Sequence, residues 1–319
     1  ARMKLFYLGP EGTFTHQAAM TAADQFATLG DFDLIASDVP AIMQAVQSRQ
    51  GWGVIAWENN VEGYVVPNLD ALIDAPNAAA RPDQVDVAFN AFTVRGHSIY
   101  DCTGNPVSAH PHGLAQCTRF IAEHHLQPEP ASSNAAACRD LKPGRVALGP
   151  SICGELYDLD TLAEHVQDFD GAHTEFLVIA PRDVVQEYAR AYSNDAGDFE
   201  TIITFIPLVT GPGVCDLLDV LRDAGLNMTS FISRPIKGHD GTYSFIATLD
   251  AAPWEPRFRT ALEEIAGHGD WAKTLAVYPR REAEPPVDAW MLPEGGVHIT
   301  NRAPEGWQYT EEARKELLW

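Results

Sequence analysis

The chain reads as an α/β protein followed by a smaller α+β unit, and three observations predict this. Short β-rich runs alternate with helix-length segments up to about residue 180. The run Ser193-Asn194-Asp195-Ala196-Gly197-Asp198 is small and polar, as linkers are. Beyond it the pattern is strand, helix, strand, strand, helix, strand, a ferredoxin-like βαββαβ order. With 319 residues and 45% hydrophobic side chains the chain is long enough for two or three packed cores, which excludes a disordered or fibrous protein.

In order, 4–8 reads as a strand and 13–29 as a helix, then 34–37 as a strand, with Asp38 capping a helix over 39–50. A strand over 52–57 is followed, after Pro67, by a short helix with Leu69, Leu72 and Ile73 on one side. The alanine- and proline-rich stretch 76–82 reads as a loop. Strands are expected at 85–94, 107–109, 129–132 and 146–148, with helices at 113–125 and 134–141 between them. These form a second lobe over about 95–170, and a strand at 175–180 returns to the first lobe, which leaves a cleft between the two. The domains are therefore expected at 1–192 and 201–280, with a linker at 193–200 and a C-terminal extension at 281–319. In the second domain, helix 213–224 gathers Val214, Leu217, Leu218 and Leu221 on one face. The extension is rich in proline and glycine until an amphipathic stretch at 311–319, whose expected use is to cover a sheet edge or meet a partner.

Charge narrows the function. The 44 acidic side chains against 22 basic ones give a net charge of -22, which repels a phosphate backbone and argues against nucleic acid. The apolar run before Gly9-Pro10 is too short for a signal peptide or a membrane helix, so a soluble cytoplasmic protein without membrane contact is expected. Five cysteines without a C-x-x-C pair read as reduced, buried residues, and no H-E-x-x-H accompanies the eleven histidines, so no metal is expected. The absence of Walker and G-x-G-x-x-G sequences argues against nucleotides.

Four polar clusters fall at the carboxyl ends of predicted strands, the rim on which open α/β sheets bind ligands. They are Gly9-Pro10-Glu11-Gly12-Thr13-Phe14-Thr15-His16, Glu58-Asn59-Asn60-Val61-Glu62-Gly63, Ser132-Ser133-Asn134-Ala135-Ala136-Ala137 and His173-Thr174-Glu175-Phe176. The first and third precede helices, with Thr13, Ser133 and Asn134 near free amides that attract a small carboxylate.

The order of these motifs resembles prephenate dehydratase. The resemblance is carried by the run from Tyr7 to Thr15, by Glu58-Asn59-Asn60 with Gly63 and Leu69-Asp70, by Ser133-Asn134-Ala135 and by Thr174-Glu175-Phe176. Further on, Gly213-Val214-Cys215, Gly225-Leu226-Asn227-Met228-Thr229 and Ser233-Arg234-Pro235 resemble the phenylalanine-sensing ACT domain that follows it. The resemblance implies a two-lobed catalytic domain like a periplasmic binding protein, plus the ACT domain. It also implies conversion of prephenate to phenylpyruvate, with loss of carbon dioxide and water and no cofactor. Thr174, Glu58 and Asn59 are then the expected catalytic residues, with Glu58, Glu11 and His16 as candidate acids. Glu11, Thr13, Phe14, Thr15, Asn60, Gly63, Ser133, Asn134, Ala135, Glu175 and Phe176 are expected around the substrate. Gly213, Val214, Cys215, Asn227, Met228, Ser233, Arg234 and Pro235 are expected around phenylalanine or a related amino acid. A homodimer or homotetramer is implied as well.

Several positions depart from the family pattern. Glu175 stands where arginine is usual and Asn60 where serine is usual, Trp57 replaces a smaller aliphatic residue, and Ile232 replaces a glutamate. A reversed charge beside a substrate carboxylate would weaken binding. Two alternatives remain open on sequence: a decarboxylase that does not aromatise its product, and a non-catalytic amino-acid sensor. A fused chorismate mutase is not expected, because a strand begins at Lys4.

Overall fold

A computed structural model describes residues 2–60, 62–76, 78–192, 198–208, 213–280, 287–300 and 302–319. The chain divides into two compact units, Ala1–Arg280 and Arg281–Trp319. Among the described residues, ten strands of the first unit form one sheet and five form another.

Across the large sheet the order is Met228–Pro235, Tyr243–Leu249, Phe199–Ile206, Trp271–Pro279, Ala78–Asp86, His173–Ala180, Trp52–Asn59, Met3–Leu8 and Phe32–Ser37, with the short Gly63–Tyr64 also paired to Trp52–Asn59. Met3–Leu8 runs parallel to both its neighbours, whereas His173–Ala180 is antiparallel to Trp52–Asn59 and to Ala78–Asp86. The smaller sheet has the order Leu159–Ala163, Asn90–Val94, Val146–Gly149, Pro106–Ala109 and Gln127–Pro130. The chain crosses between the sheets on either side of a single backbone bond, from the Val87 N–H to the Ala172 carbonyl at 2.8 Å. That bond lies next to the start of the strand that carries Thr174, whose cross-strand partner is Asn59.

The strands from Phe199–Ile206 onward with helices Val214–Asp223 and Pro256–Gly267 give the expected βαββαβ order. One face of their antiparallel sheet is covered by those helices through Leu217, Leu221, Phe258 and Ile265. The other face, with Ile202, Ile246 and Leu275, packs on Trp57, Leu69, Leu72 and Leu177 of the first lobe. Burial on both faces is greatest in Phe199–Ile206, whereas the edge strand Met228–Pro235 alternates half-buried and exposed residues. Each fully buried leucine or isoleucine there contributes roughly 1.5–3 kcal/mol.

The elements differ from expectation in a few places. The stretch expected as a loop at 76–82 enters the strand Ala78–Asp86, and the expected strand 85–94 breaks where the chain changes sheets, before Asn90–Val94. The expected helix 113–125 is two helices, Pro111–Gln116 and Thr118–Glu123. The break has a cause: the Asp168 carboxylate accepts from the Thr118 and Arg119 amides at 3.0 and 2.8 Å and caps the second helix. The expected linker at 193–200 lies outside the described residues over 193–197, and its last two residues already belong to the strand Phe199–Ile206.

In the second unit, Thr310 caps the helix Glu311–Leu317 by accepting from the Ala313 amide at 3.1 Å. Trp307, Tyr309 and Trp319 stack edge to face, and the Arg314 guanidinium lies 5.8 Å from the Trp319 ring centroid. Among the described residues no helix is long and apolar enough to cross a membrane.

Candidate active site

The glycine-rich loop leaves its strand through a cis Gly9-Pro10 bond and reaches Gly12, whose φ is +82°. A Cβ at Gly12 would lie 3.1 Å from the Tyr157 ring and 3.2 Å from the Ala135 Cβ, so glycine is what lets the loop approach these residues. The contact is polar as well: the Tyr157 hydroxyl donates to the Glu11 carbonyl at 3.1 Å and the Cys153 thiol to the Gly12 carbonyl at 3.2 Å. The Gly12 N–H in turn donates to His16 Nδ1 at 3.0 Å. His16 therefore carries its proton on Nε2, lies flat against Tyr7 at 4.7 Å, and has its pKa lowered by burial. Thr13 Oγ1 caps the following helix at the His16 amide (3.1 Å), Thr15 is buried, and Phe14 packs edge-on against Phe89.

On the large sheet, Thr174 and Asn59 are cross-strand partners and their side chains meet. Asn59 Nδ2 donates to Thr174 Oγ1 at 3.1 Å, while Asn59 Oδ1 accepts from the Glu62 amide at 3.0 Å. The amide is thereby oriented, and the threonine oxygen accepts, which leaves its O–H to donate elsewhere. Asn60 clamps the approach to Thr174: its side chain donates to the Gly171 carbonyl at 2.9 Å and accepts from the His173 amide at 2.8 Å. Gly63, with φ +88°, pairs with Asn59 and closes the hairpin. Beside Asn59 is a pocket of about 230 Å³ lined also by Glu62, Gln116, Gln167, Asp168 and Phe169. Asp168 is held ionised by hydrogen bonds from Thr118 and Arg119, against the opposing effect of burial.

Glu58 and Glu175 do not join this group. Successive residues on a strand face opposite ways, so they lie on the other side of the sheet from Asn59 and Thr174. They are paired with each other across the strands, and Glu58 is paired with Tyr64. Burial first, and then the fields of Glu58 and Glu175, push Tyr64 up to about 12. Glu200 is raised by burial, with Glu175 adding to it, and buried Tyr278 is raised well above its ordinary range. Glu58 and Glu175, expected at the substrate, thus lie on the sheet face away from the Asn59–Thr174 pair. Phe176 is likewise a core residue, packed with Leu5, Tyr7 and Val54.

In the third motif the side chains of Ser133 and Asn134 each accept one bond from the backbone. Ser133 Oγ accepts from the Ala136 amide at 2.9 Å and Asn134 Oδ1 from the His110 amide at 2.9 Å. Ala135 is buried against Gly12. Among the expected effector residues, Gly213, Val214 and Cys215 begin a helix, with the Gly213 amide donating to Asp216 at 3.2 Å. The Asn227 carbonyl accepts from Asp250, and Met228, Ser233, Arg234 and Pro235 lie on one strand. Arg234 forks onto Asp70 through Nε and Nη2, at 2.9 and 2.8 Å. Tyr157, Cys153, Gln167 and Asp168 had no signal in the sequence, since each acts through contacts far along the chain.

The sequence profile described as prephenate dehydratase matches residues 5–184. A prephenate dehydratase from Corynebacterium glutamicum is 31% identical over 289 residues, covering 85% of this chain and 88% of that one. The chain belongs to the prephenate dehydratase family. It performs the family's reaction, the conversion of prephenate to phenylpyruvate. The prephenate dehydratase from Arthrobacter aurescens, solved in complex with L-Phe, is 26% identical with a TM-score of 0.72, covering 89% of this chain and 92% of that one. A protein described as a novel type of quorum-quenching acylase is 21% identical with the same TM-score of 0.72, covering 87% of this chain and 98% of that one, and shares the fold alone.

Proposed function

We propose that Thr174, oriented by Asn59, is the group that hydrogen-bonds the departing 4-hydroxyl of prephenate. The supporting observation is the 3.1 Å bond from Asn59 Nδ2 to Thr174 Oγ1, in which the threonine oxygen accepts and its own proton is left to donate elsewhere. In the reaction the bond from the ring to its carboxylate breaks, and carbon dioxide leaves. The electron pair moves through the diene, and the C4–O bond breaks as the ring becomes aromatic. The departing oxygen takes one proton, supplied by solvent through the Thr174 hydroxyl, and leaves as water. A threonine is too weak an acid to ionise at neutral pH, so its part is donation and relay. Aromatisation supplies the driving force, and the protein supplies orientation and hydrogen bonds. The Glu11-Gly12-Thr13 loop, seated against Ala135 and Tyr157, forms the opposite wall, with Ser133 and Asn134 shaping it. Replacing Thr174 by valine should lower kcat by about 10²–10³, read as phenylpyruvate absorbance in base. A loss below tenfold would remove Thr174 from this role. Loss of carbon dioxide without water, detected by mass spectrometry of the product, would mean a decarboxylase instead.

We further propose that residues 1–192 are the catalytic domain, with a two-lobed architecture like a periplasmic binding protein, and that 201–280 are an ACT domain that senses phenylalanine. The βαββαβ order and the relative solved with L-Phe support this. Among the described residues, the strand Met228–Pro235 ends the large sheet and pairs on one side only, which supports pairing with a second copy in a homodimer or homotetramer. Light scattering at a multiple of 34.9 kDa is the expected result.

A further inference from the structure

The segment from Gly63 to Ala75 is fastened on two sides. Toward the cleft, Gly63 and Tyr64 pair with Asn59 and Glu58, the Val65 amide donates to the Trp57 carbonyl at 2.8 Å, and Asn68 Nδ2 donates to the Ala56 carbonyl at 2.7 Å. Toward the C-terminal sheet, three polar contacts are spread along it. The Tyr64 hydroxyl meets Ser230 Oγ, and Asp70 receives the two-pronged Arg234 fork. Lys273 Nζ donates to the carbonyls of Ile73, at 2.8 Å, and Ala75, beyond the last turn of the helix Val66–Asp74. Leu69 and Leu72 fill the space between these contacts against Ile246 and Leu275.

Arg234 and Ser230 are four apart on one strand and so share the face turned to this segment, while Ser233 lies on the other face. The guanidinium is about a quarter exposed and Asp70 less, and both prongs are short, the geometry of a strong ion pair. The Ser233-Arg234-Pro235 stretch, expected around an effector, thus gives its charged side chain to the catalytic half.

We infer that Arg234 is a positioning residue for the reaction: through Asp70 it holds the Val66–Asp74 helix, and with it the hairpin that presents Asn59 to Thr174. The inference rests on the assignment of Asn59 and Thr174 to the departing oxygen. It makes the Asp70–Arg234 fork the mechanical link between the C-terminal sheet and the chemistry, and it makes Arg234 no ligand of the effector. A displacement of the hairpin by about 1 Å is enough to cost up to a hundredfold in rate.

The test uses the full chain carrying Asp70→Asn, Arg234→Gln, or the swapped pair Asp70→Arg with Arg234→Asp. Steady-state kinetics with prephenate and calorimetric titration with L-phenylalanine are both measured, and melting curves select the folded variants. Each single variant should lower kcat by about tenfold or more with KM changed less than threefold, as removal of an orienting contact does. L-phenylalanine should bind each single variant about as it binds the parent chain, and the swap should regain part of the lost kcat. The inference is overturned if kcat stays within twofold in both single variants, or if Arg234→Gln abolishes L-phenylalanine binding while Asp70→Asn preserves it. If a single variant does not fold, the swapped pair decides: a folded swap with unrecovered kcat overturns the inference. Thr174→Val, measured alongside, separates this outcome from failure of the active-site reading, because that variant leaves the fork untouched.

Discussion

Exchanging Glu175 for arginine, the residue usual in the family, should stabilise the protein and leave catalysis nearly unchanged. Glu175 lies directly across from Glu58 on the neighbouring strand, and its charge adds to the burial that raises Glu200, Tyr64 and Tyr278. Like charges directly opposite on a sheet cost roughly 0.2–1 kcal/mol, and an opposite-charge pair gains a similar amount. Glu175→Arg converts the first situation into the second, a swing of about 1 kcal/mol, which corresponds to roughly 2–4 °C in Tm for a domain of this size. Differential scanning calorimetry at pH 7 and low salt should show the rise, and about 1 M salt should shrink it by screening. In the phenylpyruvate assay kcat/KM should stay within about threefold, because a side chain on the face opposite Thr174 makes no substrate contact. An activity change beyond about tenfold with an unmoved Tm would refute the reasoning and put Glu175 at the substrate.

Two pH-dependent predictions carry opposite signs. Burial lowers the His16 pKa from 6.5, so its contribution to stability is present above 6.5 and is lost as pH falls below that value. His16→Asn keeps an acceptor for the Gly12 amide, and its Tm should fall less steeply than the parent's between pH 7 and 5.5; parallel curves would exclude the effect. Burial raises Glu200 above 4.5, so its ionisation costs stability at neutral pH and the cost fades as pH falls through the raised value. Glu200→Gln should therefore raise Tm at pH 8, with the gain shrinking toward pH 5, and a gain that is constant with pH would point to packing instead.

The elements with a clear period were legible from the residues alone. The helices Val214–Asp223 and Pro256–Gly267 and the strands around them follow from apolar spacing, because their packing partners lie within the same βαββαβ unit. The strand Ala78–Asp86 was not legible. Its alanines and proline have low β propensity, and it forms because neighbours on both sides supply pairing, with a register shift opposite the segment that contains Pro82. The motifs named candidate residues but not the direction of their side chains. In Thr174-Glu175-Phe176 the first meets Asn59, the second faces Glu200 and Tyr278 near the C-terminal sheet, and the third is in the core. Thr13 and Ser133 fill the capping role that short polar residues take at helix starts, while Asn134 Oδ1 accepts from the His110 amide.

The departures from the family pattern make sense once direction is known. Asn60, in place of serine, is long enough to bridge the Gly171 carbonyl and the His173 amide at once, so it anchors the turn immediately before Thr174. A serine hydroxyl, one atom from its Cβ, has no second polar atom with which to span both. The cleft also answers the charge problem posed by a chain of net charge -22 that must admit a dianion. Its pocket is lined by two carboxylates, Glu62 and Asp168, but Asp168 is covered by two amides and a hydroxyl at a helix start, where the positive end of the dipole offsets its charge. In the proposed reaction the group that meets the departing oxygen, the Thr174 hydroxyl, is likewise uncharged.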